Sequence, residues 1–161
     1  METSDIVQII ALIILIALSA FFSSAETALV TANRIRMRTL AEDGNKQAER
    51  VLRITDDSGK MLSAILIGNN IVNLSASSLA TSLAIEWWGS VGAGIATGGL
   101  TLIILIFGEV SPKTIATINA DKIAMKYSGI IDVLMKVFTP LIIIVNTLAT
   151  GFLKLLRVDP N

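Results

Sequence analysis

The chain has 161 residues, 53% of them hydrophobic and only 16% charged, with a mean hydropathy of +0.72. It contains no Cys and no His, which excludes disulfides, thiolate or imidazole catalysis and Cys- or His-ligated metals, and leaves hard cations held by oxygen as the metals such a chain can bind. Thirteen Lys and Arg balance thirteen Asp and Glu, so no nucleic-acid partner is expected; the length suits one domain or one module of a longer protein, and the composition suits a membrane protein.

Taken in chain order, the first apolar run extends from Ile6 to about Val30, with no charge before Glu26. Its leader METSD is acidic and its polar end lacks an A-x-A site, so it reads as a retained helix rather than a signal peptide. Residues 33–57 then read as a cytoplasmic amphipathic segment, with Ile35, Met37, Leu40, Val51, Leu52 and Ile54 among charges and a break expected at Gly44-Asn45. The second run covers roughly 61–85 and the third 90–110, each long enough to span a bilayer. The fourth runs from Tyr127 to Val158, interrupted by Asp132, Lys136 and Pro140. Basic residues at both its ends and the proline in its middle favour a bent or interfacial helix within a juxtamembrane region 112–158.

Lys and Arg crowd residues 31–60 and recur at Lys113, Lys122 and Lys126, whereas the turn at Glu86, Trp87 and Trp88 has none. The positive-inside rule therefore puts the N-terminus outside, the Trp pair at the outer interface, and 31–60 and 111–127 in the cytoplasm. The expected fold class is an all-α integral membrane protein in a cell membrane, with three transmembrane helices and cytoplasmic juxtamembrane or interfacial helices.

Polar side chains inside the runs carry the chemistry, because polar groups in a bilayer tend to face a cavity or the bundle interior. Ser19, Ser23 and Glu26 lie on one face of the first helix; Asn69, Asn73 and Ser77 form a stripe on the second, with Asn70 beside it. Counting from the cytoplasmic ends at about 1.5 Å per residue, Ser23 and Asn69 both lie about 12 Å deep, and Ser19 and Asn73 about 18 Å. Glu109 and Glu26 are placed nearer the inner rim. Such oxygens suit Mg²⁺, Ca²⁺ or Na⁺. A broken or π-bulged turn at Gly68 or Gly108 would add backbone carbonyls. Bland alternatives stand beside this reading. Ser19 and Ser23 form a small-xxx-small packing pair, the asparagines can be interhelical glue, Glu109 before Ser111-Pro112 can be an interfacial helix end, and Glu26 can reach water. The Gly92–Gly99 stretch reads as close helix packing or a re-entrant turn rather than a phosphate loop. No nucleophile–base pair or cofactor motif is visible, so an enzyme is not expected.

Ser19-Ala-Phe-Phe-Ser23-Ser-Ala-Glu26, Ile67-Gly68-Asn69-Asn70-Ile-Val-Asn73 and Phe107-Gly108-Glu109-Val-Ser-Pro112-Lys113 together resemble the signatures of the CorC/CNNM (cyclin M) transmembrane domain, over nearly the whole chain. The resemblance implies three transmembrane helices, a juxtamembrane belt, a homodimer and a Mg²⁺ site within each protomer. It implies Ser19, Ser23, Asn69, Asn73, Gly108 and Glu109 as site residues at the family's shared positions. Glu26 and Asn70 match the bacterial pattern, and Gly68 is a backbone contributor. Family members normally continue into a nucleotide-binding CBS pair. The chain ends at Asp159-Pro160-Asn161 just past a helix, so an isolated transmembrane domain without that region is expected. The resulting expectation is Mg²⁺ export through a site opening to the cytoplasm, with or without Na⁺ coupling. The alternatives are a Mg²⁺ sensor or scaffold that regulates another transporter, and polar residues that serve packing alone.

Overall fold

A computed structural model describes residues 3–156 and Val158. Among them every regular element is helical: α1 (Thr3–Thr31), α2 (Arg34–Glu42), α3 (Lys46–Asp56), α4 (Ser58–Trp88), α5 (Ser90–Ile103), a π-helical turn (Ile104–Val110), α6 (Ser111–Ile118), α7 (Ala120–Val137) and α8 (Thr139–Leu155). Three continuous helical stretches, Ser4–Thr31, Ser58–Trp88 and Ser90–Ile118, are long and apolar enough to cross a membrane. The bent pair α7–α8 would make a fourth if counted as one span.

Local chemistry sets the boundaries. The Asn33 side chain accepts from Arg36 N to cap α2, Asn45 accepts from Gln47 N and Ala48 N to cap α3, and Asp57 accepts from Lys60 N to cap α4. The expected break between α2 and α3 falls at Gly44, whose φ of 89° is a left-handed conformation that favours glycine. Gly89, at φ 68°, turns α4 back into α5. Gly92 then packs onto that turn so closely that a Cβ would stand 2.1 Å from the Ala84 carbonyl oxygen. The glycine-rich stretch is therefore continuous helix with one close approach, and no re-entrant turn forms there. Trp87 and Trp88 meet edge to face at 5.6 Å beside this hairpin.

At the opposite, basic end, α2, α3 and α7 form a platform around α1 and α4. Met37, Val51, Ile54, Met61 and Ile131 are buried at its centre. Ion pairs tie its rim: Arg34 to Asp56, Arg36 to Asp121 at 3.3 Å, and Arg53 to Asp132 at 2.8 Å. Asp121 also accepts from Asn33 N at 2.9 Å. Phe21 of α1 packs on Tyr127 of α7, ring centroids 4.7 Å apart. At Phe138 the chain bends by 70°, with Pro140 in the first turn of α8, where its missing N–H costs no helix bond. The fourth apolar run is thus a bent pair whose first arm is bonded to the basic platform.

Candidate functional site

The site begins with the way α1 meets α4 and the π turn. Ser19 and Ser23, four residues apart on α1, are both about 1% exposed. Ser19 Oγ donates to Asn69 Oδ1 on α4 at 3.5 Å, a long and therefore weak bond. On the other side, Gly108 of the π turn comes so near that a Cβ there would stand 3.0 Å from Ser19 Oγ. Ser19, Asn69 and Gly108 are thereby brought together from three segments far apart in sequence. Gly68, next to Asn69, admits the Phe22 ring, since a Cβ would stand 2.4 Å from Phe22 Cζ. α4 runs unbroken through Gly68, so no helix break supplies a carbonyl there. Gly68 acts by letting α1 and α4 approach.

The expected π-bulge does occur at Gly108. Across Ile104–Val110 the ladder is wider than in an α-helix, and Ser111 N reaches back to Ile106 O. Pro112 has no N–H. In an α-helix that missing donor would have bonded the carbonyl of Gly108, four residues earlier. Because Ser111 N bonds Ile106 O and Pro112 has no N–H, the carbonyls of Phe107 and Gly108 both lose the donor an α-helix would give them.

Ser23 Oγ and Asn73 Oδ1 are buried without a hydrogen-bond partner. Leaving such an atom unsatisfied costs about 1–3 kcal/mol, so native structures rarely do it without a reason. Asn73 and Glu109 line a common cavity of about 240 Å³ with Ser77, Thr97 and Thr101. Asn69 and Glu26 line another, of about 230 Å³. Among the described residues no three carboxylates gather; the oxygens are mostly neutral hydroxyls, amides and carbonyls.

Two placements differ from the sequence expectation. Glu109 lies deeper than the inner rim: the helix runs on from the π turn to Ile118, about 13 Å beyond Glu109 at the usual rise, and Glu109 shares the cavity of Asn73. Glu26 is at the rim as expected, half-exposed, and is paired with Lys113 Nζ at 3.8 Å. Asn70 is exposed. Lys113, Thr97 and Thr101 were not among the candidate residues. Lys113 stands inside the third motif, and its charge next to Pro112 was the available signal. The threonines gave none, because their hydroxyls also bond the preceding turn of their own helix, Thr97 to Ala93 O and Thr101 to Thr97 O.

A family model, the cyclin M transmembrane N-terminal domain (CNNM), matches residues 10–161. The chain belongs to the CNNM transmembrane-domain family. Similar proteins include a UPF0053 protein of Haemophilus influenzae, 41% identical over 91% of this chain and 35% of that one. The UPF0053 inner membrane protein YfjD of Escherichia coli is 39% identical over 89% of this chain and 34% of its own length. The polyamine export protein of Haemophilus influenzae is 28% identical over 94% of this chain and 38% of its own. The chain thus spans about a third of the length of these CNNM-domain relatives. It is a multi-pass membrane domain.

Proposed function

We propose that this domain exports Mg²⁺ through the oxygen cluster between α1, α4 and the π turn, entering from the basic, cytoplasmic side. The observation that carries the reading is the pair of buried, unpartnered oxygens, Ser23 Oγ and Asn73 Oδ1. The long Ser19–Asn69 contact and the π turn at Gly108, where carbonyls lose their usual α-helical donors, add to it. A cation would satisfy all of these acceptors at once. Two ligands of an octahedral Mg²⁺ stand about 3 Å apart, given Mg–O distances near 2.1 Å. The Ser19–Asn69 pair at 3.5 Å would close slightly around the ion. Glu109 supplies a formal charge, and the otherwise neutral ligands keep binding weak enough for release. Glu26, held by Lys113, belongs to the mouth. One such site per protomer of a homodimer is the assembly proposed, with Na⁺ coupling as a further property to test.

The relative named as a polyamine exporter raises a second cargo. A linear polyamine carries several ammonium groups strung along an extended chain, and each needs an acceptor where it falls. Here Ser19, Asn69 and Gly108 meet, and among the described residues no carboxylate group of three or more lines a path. That meeting point favours a compact divalent ion. A sensor that binds Mg²⁺ without passing it uses the same site and is separated by flux.

The test is Mg²⁺ flux into proteoliposomes holding only the purified protein. The account expects Mg²⁺ flux that a linear polyamine does not replace and that Ser23→Ala or Asn73→Ala abolishes. Undiminished flux in both variants would overturn the site. Mg²⁺ binding without flux would favour the sensor.

A further inference from the structure

A wide groove lies away from this cluster. It measures about 840 Å³, between the first turn of α4 and the length of α8. Lys60 stands at one wall and Lys154 at the other. Among the described residues neither lysine has an ion-pair partner, whereas Lys113 and Lys136 do. Asp57, the acid in the lining, is committed to capping α4 through Lys60 N at 3.3 Å. Its carboxylate offsets the partial positive charge of the α4 N-terminus, so the two lysines leave the groove net positive. Ser63 Oγ donates to Asn146 Oδ1 at 3.3 Å, joining α4 to α8 and leaving the Asn146 amide hydrogens to donate elsewhere. Below these groups the lining turns apolar, with Ile142 buried and Ile143 60% exposed.

The geometry points to an anionic phospholipid of the inner leaflet as the occupant, its phosphate between Lys60 and Lys154 and an acyl chain along α8. Charge complementarity selects the headgroup, since Lys side chains at the interface attract an anionic lipid surface. Position selects a lipid over a soluble anion. The groove opens where α4 begins its apolar run, at the end marked by basic residues. The 17 residues of α8 run about 25 Å, the length of an acyl chain, and present Ile142 and Ile143 among the methyl-bearing Thr139, Thr147 and Thr150. Gly59 and Gly151 line the groove with open space where a Cβ would stand, which keeps it wide.

Thermal unfolding of the detergent-solubilised protein would be followed while dioleoyl phosphatidylglycerol, dioleoyl phosphatidylcholine or glycerol 3-phosphate is added. The expected result is a midpoint raised by several degrees with phosphatidylglycerol alone. That rise should be lost in Lys60→Ala/Lys154→Ala and also in Gly151→Leu, which fills the groove while keeping both charges. An equal rise with phosphatidylcholine, an equal rise with glycerol 3-phosphate, or an undiminished rise in Gly151→Leu would overturn the proposal. None of these outcomes bears on Ser23 or Asn73, so the lipid groove and the cation site stand or fall separately.

Discussion

At the scale of single residues, the proposed cation site is a matter of what glycine permits and what proline removes. Gly108 sits 3.0 Å, measured from a would-be Cβ, from Ser19 Oγ. Gly108→Ala must therefore displace that hydroxyl by a few tenths of an ångström, and the expected consequence is Mg²⁺ binding about tenfold weaker, on the order of 1.4 kcal/mol, with little change in folding. Titrating the thermal midpoint with Mg²⁺ checks it; an unchanged midpoint response would detach Gly108 from the site. Gly68→Ala acts differently. Its Cβ would meet the Phe22 ring at 2.4 Å, an overpacking of the kind that costs about 1–3 kcal/mol. Denaturation of the ion-free protein should show the loss directly. Both serines and both inward asparagines were legible in the sequence because i, i+4 spacing on long apolar helices leaves few places for them to point. The depth of Glu109 was not. Ser111-Pro112 has the look of a helix end, and although a π turn at Gly108 was readable, the continuation of the helix through Pro112 to Ile118 was not.

At the scale of elements, the bundle rests on a basic platform whose bonds can be tested one at a time. The Asn45 side chain accepts from two backbone donors at the start of α3, so Asn45→Ala should lower stability by about 1 kcal/mol without altering ion binding. Chemical unfolding with and without Mg²⁺ separates the two effects. Asp132 on α7 is the platform's acid latch. Burial pushes its carboxyl up, but the Lys136 hydrogen bond and the charges of Arg53 and Lys136 outweigh burial and hold it below its ordinary value near 3.8. A depressed folded pKa contributes stability in full above the unfolded value, and that contribution fades as pH falls through the folded one. Stability should thus drop below about pH 4, and Asp132→Asn should flatten that limb, as seen in midpoints measured from pH 6 to pH 3. The break at Gly44-Asn45 and the bent fourth run were readable from glycine and proline chemistry. The ion pairs joining α2 and α3 to α7 were not, because Arg36 and Asp121, or Arg53 and Asp132, lie some eighty residues apart, and nothing in one sequence couples them.

At the scale of the whole molecule, the chain separates into an apolar exterior and a narrow polar interior. Ile13, Leu74 and Val91 are 61%, 72% and 71% exposed, as lipid contact requires, while Ser19, Ser23 and Ser128 are buried among helices. Such an arrangement places the few polar groups where they line cavities, and on the proposed reading an ion bound among them would change the stability of the domain. A ligand that binds only the folded state raises the unfolding free energy by about 2.7 kcal/mol at a hundredfold excess over its dissociation constant. The most direct test is therefore the thermal unfolding midpoint of the detergent-solubilised protein against Mg²⁺, with Na⁺ and Ca²⁺ as controls, for the native chain and for Asn73→Ala. The account predicts a Mg²⁺-selective rise in the native chain that vanishes in the variant. No rise at millimolar Mg²⁺, or the same rise in both proteins, would contradict it.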